Sequence, residues 1–184
     1  EKPCAISDEG LVQLRKAQEE SNAIYGVCFQ NRYIDSVVAI KKILDKKTYG
    51  EITSARAFVH WCRGEDYYSD DWHGTLGKEG GGVTVNQAIH TQDLLRYLIG
   101  ADVTAVTAHV FNDHLKGVIE VEDTVQGLFV YENGVTALFN ATTAFSDNMP
   151  FFIDIICEKA SLRIEGNDAY VIKKGRVKKL RLKG

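Results

Sequence analysis

No apolar run in this sequence approaches the roughly 18 residues that a membrane-spanning helix requires. The opening EKPCAISDEG lacks the basic and apolar segments of a secretory signal. The two absences together lead to the expectation of a soluble, cytoplasmic protein. Cys4, Cys28, Cys62 and Cys157 are widely spaced with no CxxC pair, so reduced core or near-surface thiols are expected rather than a disulfide frame or zinc knuckle. His60, His73, His90, His109 and His114 show neither HExxH nor HxH spacing, and no metal site is expected. A net charge of -3 gives no reason to expect nucleic acid as a partner. No GxGxxG follows a strand pattern, so a phosphate cradle at a helix start is missing as well. There is no starting Met, no internal repeat and no low-complexity segment; the opening on Glu1-Lys2-Pro3 suggests a processed protein or a fragment. What is present is a globular composition: 184 residues, 45% hydrophobic and 26% charged, enough for a real core in one or two domains.

The centre of the chain is the stretch 79–100. Gly80, Gly81 and Gly82 allow positive φ and close backbone approach, and a helical pattern starts behind them. Asn86, His90, Asp93 and Tyr97 share one face at i, i+4, i+7 and i+11; Leu94, Leu95, Leu98 and Ile99 are apolar, and Gly100 reads as the stop. Upstream, Ser7 is a plausible N-cap for a helix to about Ser21, residues 23–33 form a β-rich run, and 37–46 return to helical spacing. Residues 52–61 alternate as a strand and lead into an aromatic-rich polar loop, RGEDYYSDDWHGTLGKE. Strands are expected at 103–111, 124–131, 135–143, 151–157 and 161–164, followed by a hairpin of 170–173 with 177–182. Asn133-Gly134 is the strongest hairpin signal. Short turns between consecutive strands predict an antiparallel meander.

His90 has two readings. It is either a proton-exchanging group near neutral pH, its tautomer set by a neighbouring carboxylate, or a core histidine satisfied by a backbone carbonyl. Lys2 is by default a solvated terminal lysine. Arg63, Tyr67, Tyr68, Trp72 and His73 combine rings with hydrogen-bonding groups, which suits the faces and hydroxyls of a sugar or polyol, or else serves to anchor a long loop. Lys173, Lys174, Arg176, Lys178, Lys179, Arg181 and Lys183 form a basic hairpin that suits a solvated sheet edge.

Taken together, Glu1-Lys2-Pro3, Asn31-Arg32-Tyr33, Tyr49-Gly50-Glu51-Ile52, Trp72-His73-Gly74-Thr75, Gly80-Gly81-Gly82 and the run from Asn86 to Leu95 resemble the Gfo/Idh/MocA family of NAD(P)-dependent oxidoreductases, over the length of the chain. The resemblance implies an α+β fold: an open, mostly antiparallel β-sheet with helices packed on one face, like the C-terminal domain of glyceraldehyde-3-phosphate dehydrogenase. A remnant helix and strand of a Rossmann domain would precede it. Residues 1–34 would be that remnant, and 35–184 the substrate-binding and oligomerisation domain. It further implies Lys2 and His90 as catalytic groups, and Asn86, Asp93, Arg63, Tyr67, Trp72 and His73 on the substrate side. Lys2, Pro3 and Arg32 would lie toward NAD or NADP, which the absent N-terminal domain would mainly hold.

The same resemblance implies hydride transfer from a secondary alcohol of a sugar or polyol, in a homodimer or homotetramer joined through the open sheet face. Many relatives carry Asp at the position of Asn86 and often Arg at that of His73. Asn cannot carry a proton, so Lys2 and His90 would do the acid/base work. The fragment alone is expected to be inactive. The rival reading is a non-catalytic carbohydrate-binding or assembly module of the same fold.

Overall fold

The computed structural model describes residues 2–182. Glu1 and Lys183, named above, lie outside them. Eight strands form one sheet: β1 (Ile52–His60), β2 (Val103–Phe111), β3 (Thr124–Tyr131), β4 (Thr136–Thr142), β5 (Phe152–Cys157), β6 (Ser161–Glu165), β7 (Asp168–Lys173) and β8 (Arg176–Lys179). Their order is β2-β3-β4-β1-β5-β6-β7-β8. All neighbours are antiparallel except β1 and β4, which run parallel with Ala57 opposite Phe139. The expected meander is therefore interrupted: the first strand in sequence inserts between β4 and β5. The turn signals behave as their chemistry dictates. Gly134 has φ +81° after Asn133, and Lys174 and Gly175, both at positive φ, close the β7–β8 hairpin.

Alternation along β1 decides which face is covered. Ala55, Ala57 and Val59 are buried, while Arg56, Phe58 and His60 point to the other side. On the covered face lie α2 (Asp35–Asp45), through Val37 and Ile40, and α4 (Ile89–Ile99), through Leu94, Leu95, Leu98 and Ile99; the first helix, α1, is Asp8–Glu19 and the short α3 is Leu76–Glu79. These side chains join Phe139, Ile153, Ile155, Leu162 and Ile164 in one core. Each fully buried Leu or Ile contributes about 1.5–3 kcal/mol of apolar transfer. The opposite face is open, with Leu138 and its cross-strand partner Leu128 both about half exposed.

Two expectations are corrected. Residues 23–33 form no strand; the segment ends in a 3₁₀ turn, Gln30–Tyr33. An extended segment needs a partner for its backbone groups, and no described strand runs beside it. The central helix also does not begin directly after the glycines. Residues 82–88 make tight turns anchored on Glu122, whose carboxylate accepts from the N–H groups of Gly82 and Thr84 at 3.0 Å each. The helix starts only where Thr91 and Gln92 donate to the Ala88 carbonyl. It ends as expected on Gly100, at φ +73°.

Candidate active site

The short α3 sits between the aromatic loop and the glycine run and ends on Gly80, at φ +81°. Gly82 is required for space: a Cβ there would lie 1.9 Å from the Glu122 carbonyl oxygen. This close fold turns Glu79, only 5% exposed, inward. Glu79 Oε2 accepts from Gly74 N–H and Oε1 from Asn86 Nδ2, both at 2.5 Å. Asn86 Oδ1 is thereby aimed away from Glu79 and accepts from Lys2 Nζ at 2.8 Å, while the Asn86 carbonyl accepts from the same Nζ at 2.6 Å. A buried carboxylate thus orients an amide, and the amide positions an ammonium 84 residues away in sequence. Glu79 had no visible role in the sequence beyond preceding three glycines, because its burial depends on the turn.

Lys2, Asn86 and His90 line one cavity of about 410 Å³ with Gln30, Asn31, Trp61, Arg63, Tyr67, Gln87 and Phe151. Of the residues expected to form a site, Lys2, His90, Asn86, Arg63 and Tyr67 meet there. Trp61, Gln87, Gln30, Asn31 and Phe151 are additions. Gln87 and Asn31 stood within the motifs quoted above, whereas Trp61 and Phe151 arrive from the end of β1 and from the residue before β5. Burial lowers the His90 pKa below its ordinary 6.5, the Lys2 charge acts in the same direction, and Asp93 opposes both. His90 Nδ1 is buried with no hydrogen-bond partner among the described residues. That atom argues against a core histidine satisfied by a backbone carbonyl and suits a group kept neutral beside a cavity.

The remaining expected residues stand outside the cavity. Asp93 faces Arg32: Nε donates to Oδ2 at 2.7 Å and Nη2 to Oδ1, with the guanidinium 5.0 Å from the Tyr97 ring centroid. Both Asp93 oxygens are engaged by Arg32, so this carboxylate does not set the His90 tautomer by hydrogen bond as expected from spacing. Trp72 and His73 stack on each other, centroids 3.5 Å apart. His73 is held by Asp70 at 2.6 Å, and its Nε2 lies 3.3 Å from the Tyr67 hydroxyl. His73 therefore supports Tyr67, and Trp72 contacts His73. Tyr68 is buried in a small cluster with Leu115, Ile119 and Val121. Pro3 follows Lys2 across a cis peptide bond.

At the end of the glycine run the Gly82 and Thr84 N–H groups are already used by Glu122 and are not free for an anion. Among the described residues no group of three or more His, Cys, Asp or Glu could hold a metal ion, and no helix is long and apolar enough to cross a membrane.

An open, mostly antiparallel eight-stranded sheet with few helices is the architecture of oxidoreductase C-terminal domains. A family model, the GFO/IDH/MocA C-terminal domain, matches residues 37–163, and the chain belongs to this family. Among curated proteins, scyllo-inositol 2-dehydrogenase (NAD(+)) of Bacillus subtilis (strain 168) is 28% identical over 109 residues, 59% of this chain and 30% of that protein. Among solved structures, the WlbA dehydrogenase of Chromobacterium violaceum in complex with NADH and UDP-GlcNAcA is 31% identical, with a TM-score of 0.85 over 94% of this chain and 51% of that one. Levoglucosan dehydrogenase in complex with NADH and levoglucosan, 24% identical, has a TM-score of 0.86 over all of this chain and 53% of that one, a likeness of fold. The chain thus spans about half the length of the solved relatives.

Proposed function

We propose that this chain is the substrate-binding part of a nicotinamide-dependent dehydrogenase that oxidises a secondary alcohol of a sugar or polyol. The observation that carries the reading is the convergence of Lys2 with Asn86 and His90 on one cavity, from segments 84 residues apart. The relatives support it, being dehydrogenases named for inositol, a nucleotide sugar complex and levoglucosan. In this reading the Lys2 ammonium, pinned by Asn86, holds the reacting oxygen and offsets the charge that develops on it. Neutral His90 accepts the hydroxyl proton. Gln87 and Tyr67 supply hydrogen bonds to other hydroxyls, while Trp61 and Phe151 offer rings to the C–H face. NAD or NADP supplies the hydride acceptor. Lys2 and Pro3 would meet its nicotinamide end, whereas its phosphates find no cradle in the described glycine run.

The domain division at residue 34 belongs to the same proposal. Helix α1 buries none of its residues and leaves Val12 68% exposed, which suits packing on the rest of a Rossmann domain. The half-exposed Leu128 and Leu138 on the open sheet face suit a homo-oligomer contact in a cytoplasmic enzyme. Arg32 is read as a positioning residue that ties the remnant to α4 through Asp93, and Trp72 and His73 as supports of the substrate-side Tyr67. The test is a panel of sugars and polyols with the full-length protein and NAD or NADP, followed by nicotinamide absorbance. His90→Ala is expected to keep cofactor binding and lose most turnover. Sugar binding without nicotinamide reduction by any member would favour the non-catalytic module instead.

A further inference from the structure

Four arginines of this chain hold a carboxylate: Arg32 with Asp93, Arg56 and Arg163 with Asp154, and Arg96 with Asp102. Arg63 does not. Its Nη1 donates to the Cys62 carbonyl and to Asn148 Oδ1, each at 2.7 Å, and its guanidinium carbon lies 5.1 Å from both the Trp61 and Tyr67 ring centroids. The two bonds from Nη1 leave three of its five N–H groups without an acceptor among the described residues, and Nε is buried in that state. Nε is closed off, whereas Nη2 is not among the buried atoms, so an acceptor that arrives from outside meets the guanidinium at Nη2.

The rest of the lining points the same way. The cavity wall carries two cationic side chains, Lys2 and Arg63, and none of its lining residues is an aspartate or glutamate. Asn86 occupies the place between Lys2 and the buried Glu79, so the Glu79 carboxylate is one residue removed from the cavity. The two ring contacts restrict the guanidinium and reduce the entropy lost when it binds an anion. The two cations have different consequences. Lys2 serves the reacting oxygen, and Arg63 supplies a second, separate positive point.

We infer that the cavity selects an anionic substrate, a sugar or polyol bearing a carboxylate or phosphate group that Arg63 receives. The inference rests on the reading of this cavity as the substrate site and adds to it the substrate's charge. The two remaining N–H groups of Nη2 match acceptor oxygens of either group with charge-assisted hydrogen bonds, and a neutral polyol would leave the charge without a counter-ion.

The test is a calorimetric titration of the full-length protein with D-glucuronate and D-glucose 6-phosphate as anionic probes and D-glucose as the neutral one. At least one anionic probe is expected to bind tenfold or more tightly than glucose, and which one does so separates carboxylate from phosphate. Arg63→Met, which keeps a long apolar stem between the rings, is expected to lower that affinity by about tenfold to a hundredfold. Arg63→Lys, which keeps the charge and loses the fork, should fall between. Glucose binding as tightly as either anion, no binding of any probe, or an undiminished preference in Arg63→Met overturns the inference. A thermal melt checks that each variant folds, and where Arg63→Met does not, the wild-type preference and Arg63→Lys decide. Binding is read without cofactor. Anion preference without nicotinamide reduction by any substrate would keep this assignment and sink the dehydrogenase reading; turnover confined to neutral polyols would do the reverse.

Discussion

Glu79 Oε1 accepts a 2.5 Å hydrogen bond from Asn86 Nδ2. This contact explains why an amide, rather than a carboxylate, suits position 86. Asn86 can donate to Glu79 with one end and accept from Lys2 with the other. An ionised aspartate could not donate, and two carboxylates would share a buried site.

Asn86→Asp is therefore expected to lower stability by about 1–3 kcal/mol, measured by chemical denaturation. Adding Glu79→Gln to the same chain places an amide donor opposite the introduced carboxylate and should recover most of that loss. Equal loss in the single and double variants would mean that the two side chains are not coupled.

Arg32→Met should cost about 1.5–3 kcal/mol, because it strands the Asp93 carboxylate, whose side chain is 8% exposed. Adding Asp93→Asn removes the orphaned charge and should return part of it. A double-mutant cycle with no coupling would reduce the pair to a surface contact.

Burial and the Lys2 charge both disfavour protonated His90, so its folded pKa lies below 6.5. The neutral form then persists to lower pH than for a free histidine. The acid limb of kcat/KM is expected to have its midpoint below 6.5, and Lys2→Met should move it upward. The same shift makes His90 a destabilising group at low pH, since the unfolded chain takes up its proton first; that penalty fades as pH rises through 6.5. An acid limb above 6.5 would rule out His90 as the base.

Gly82→Ala should reduce stability by about 1–3 kcal/mol, the usual cost of overpacking. Its Cβ meets main chain at Glu122, which cannot swing aside as a side chain can. Gly134→Ala has open space around it, and its cost should be confined to the strained φ of +81°. Thermal melts of the two variants separate the two causes.

Much of the fold was legible because it is local. The β2 and β3 limits, the Gly100 stop, the Asn133-Gly134 and Lys174-Gly175 turns and the alternation in β1 follow from periodicity and backbone preference over a few residues. The same local signals could not say that β1 would lie parallel to β4. That pairing joins Ser54 to Thr136 and depends on which strand edges remain free once the others have closed. The β-rich run at 23–33 failed as a strand for the same reason: propensity without a partner edge leaves the backbone unpaired.

The site divides along this line too. The chain alone determined the residue types: Lys2 before a proline, a histidine behind a glycine run, an arginine and tyrosine in an aromatic loop. Only tertiary structure decided which of them meet. It drew Asp93 away to Arg32, set His73 against Tyr67 and turned Glu79 inward. It left Arg63 facing a cavity without a carboxylate. Spacing along a helix reports which side chains share a face, whereas hydrogen-bond partners far apart in the chain are chosen by packing, and packing is not written in any short stretch of sequence.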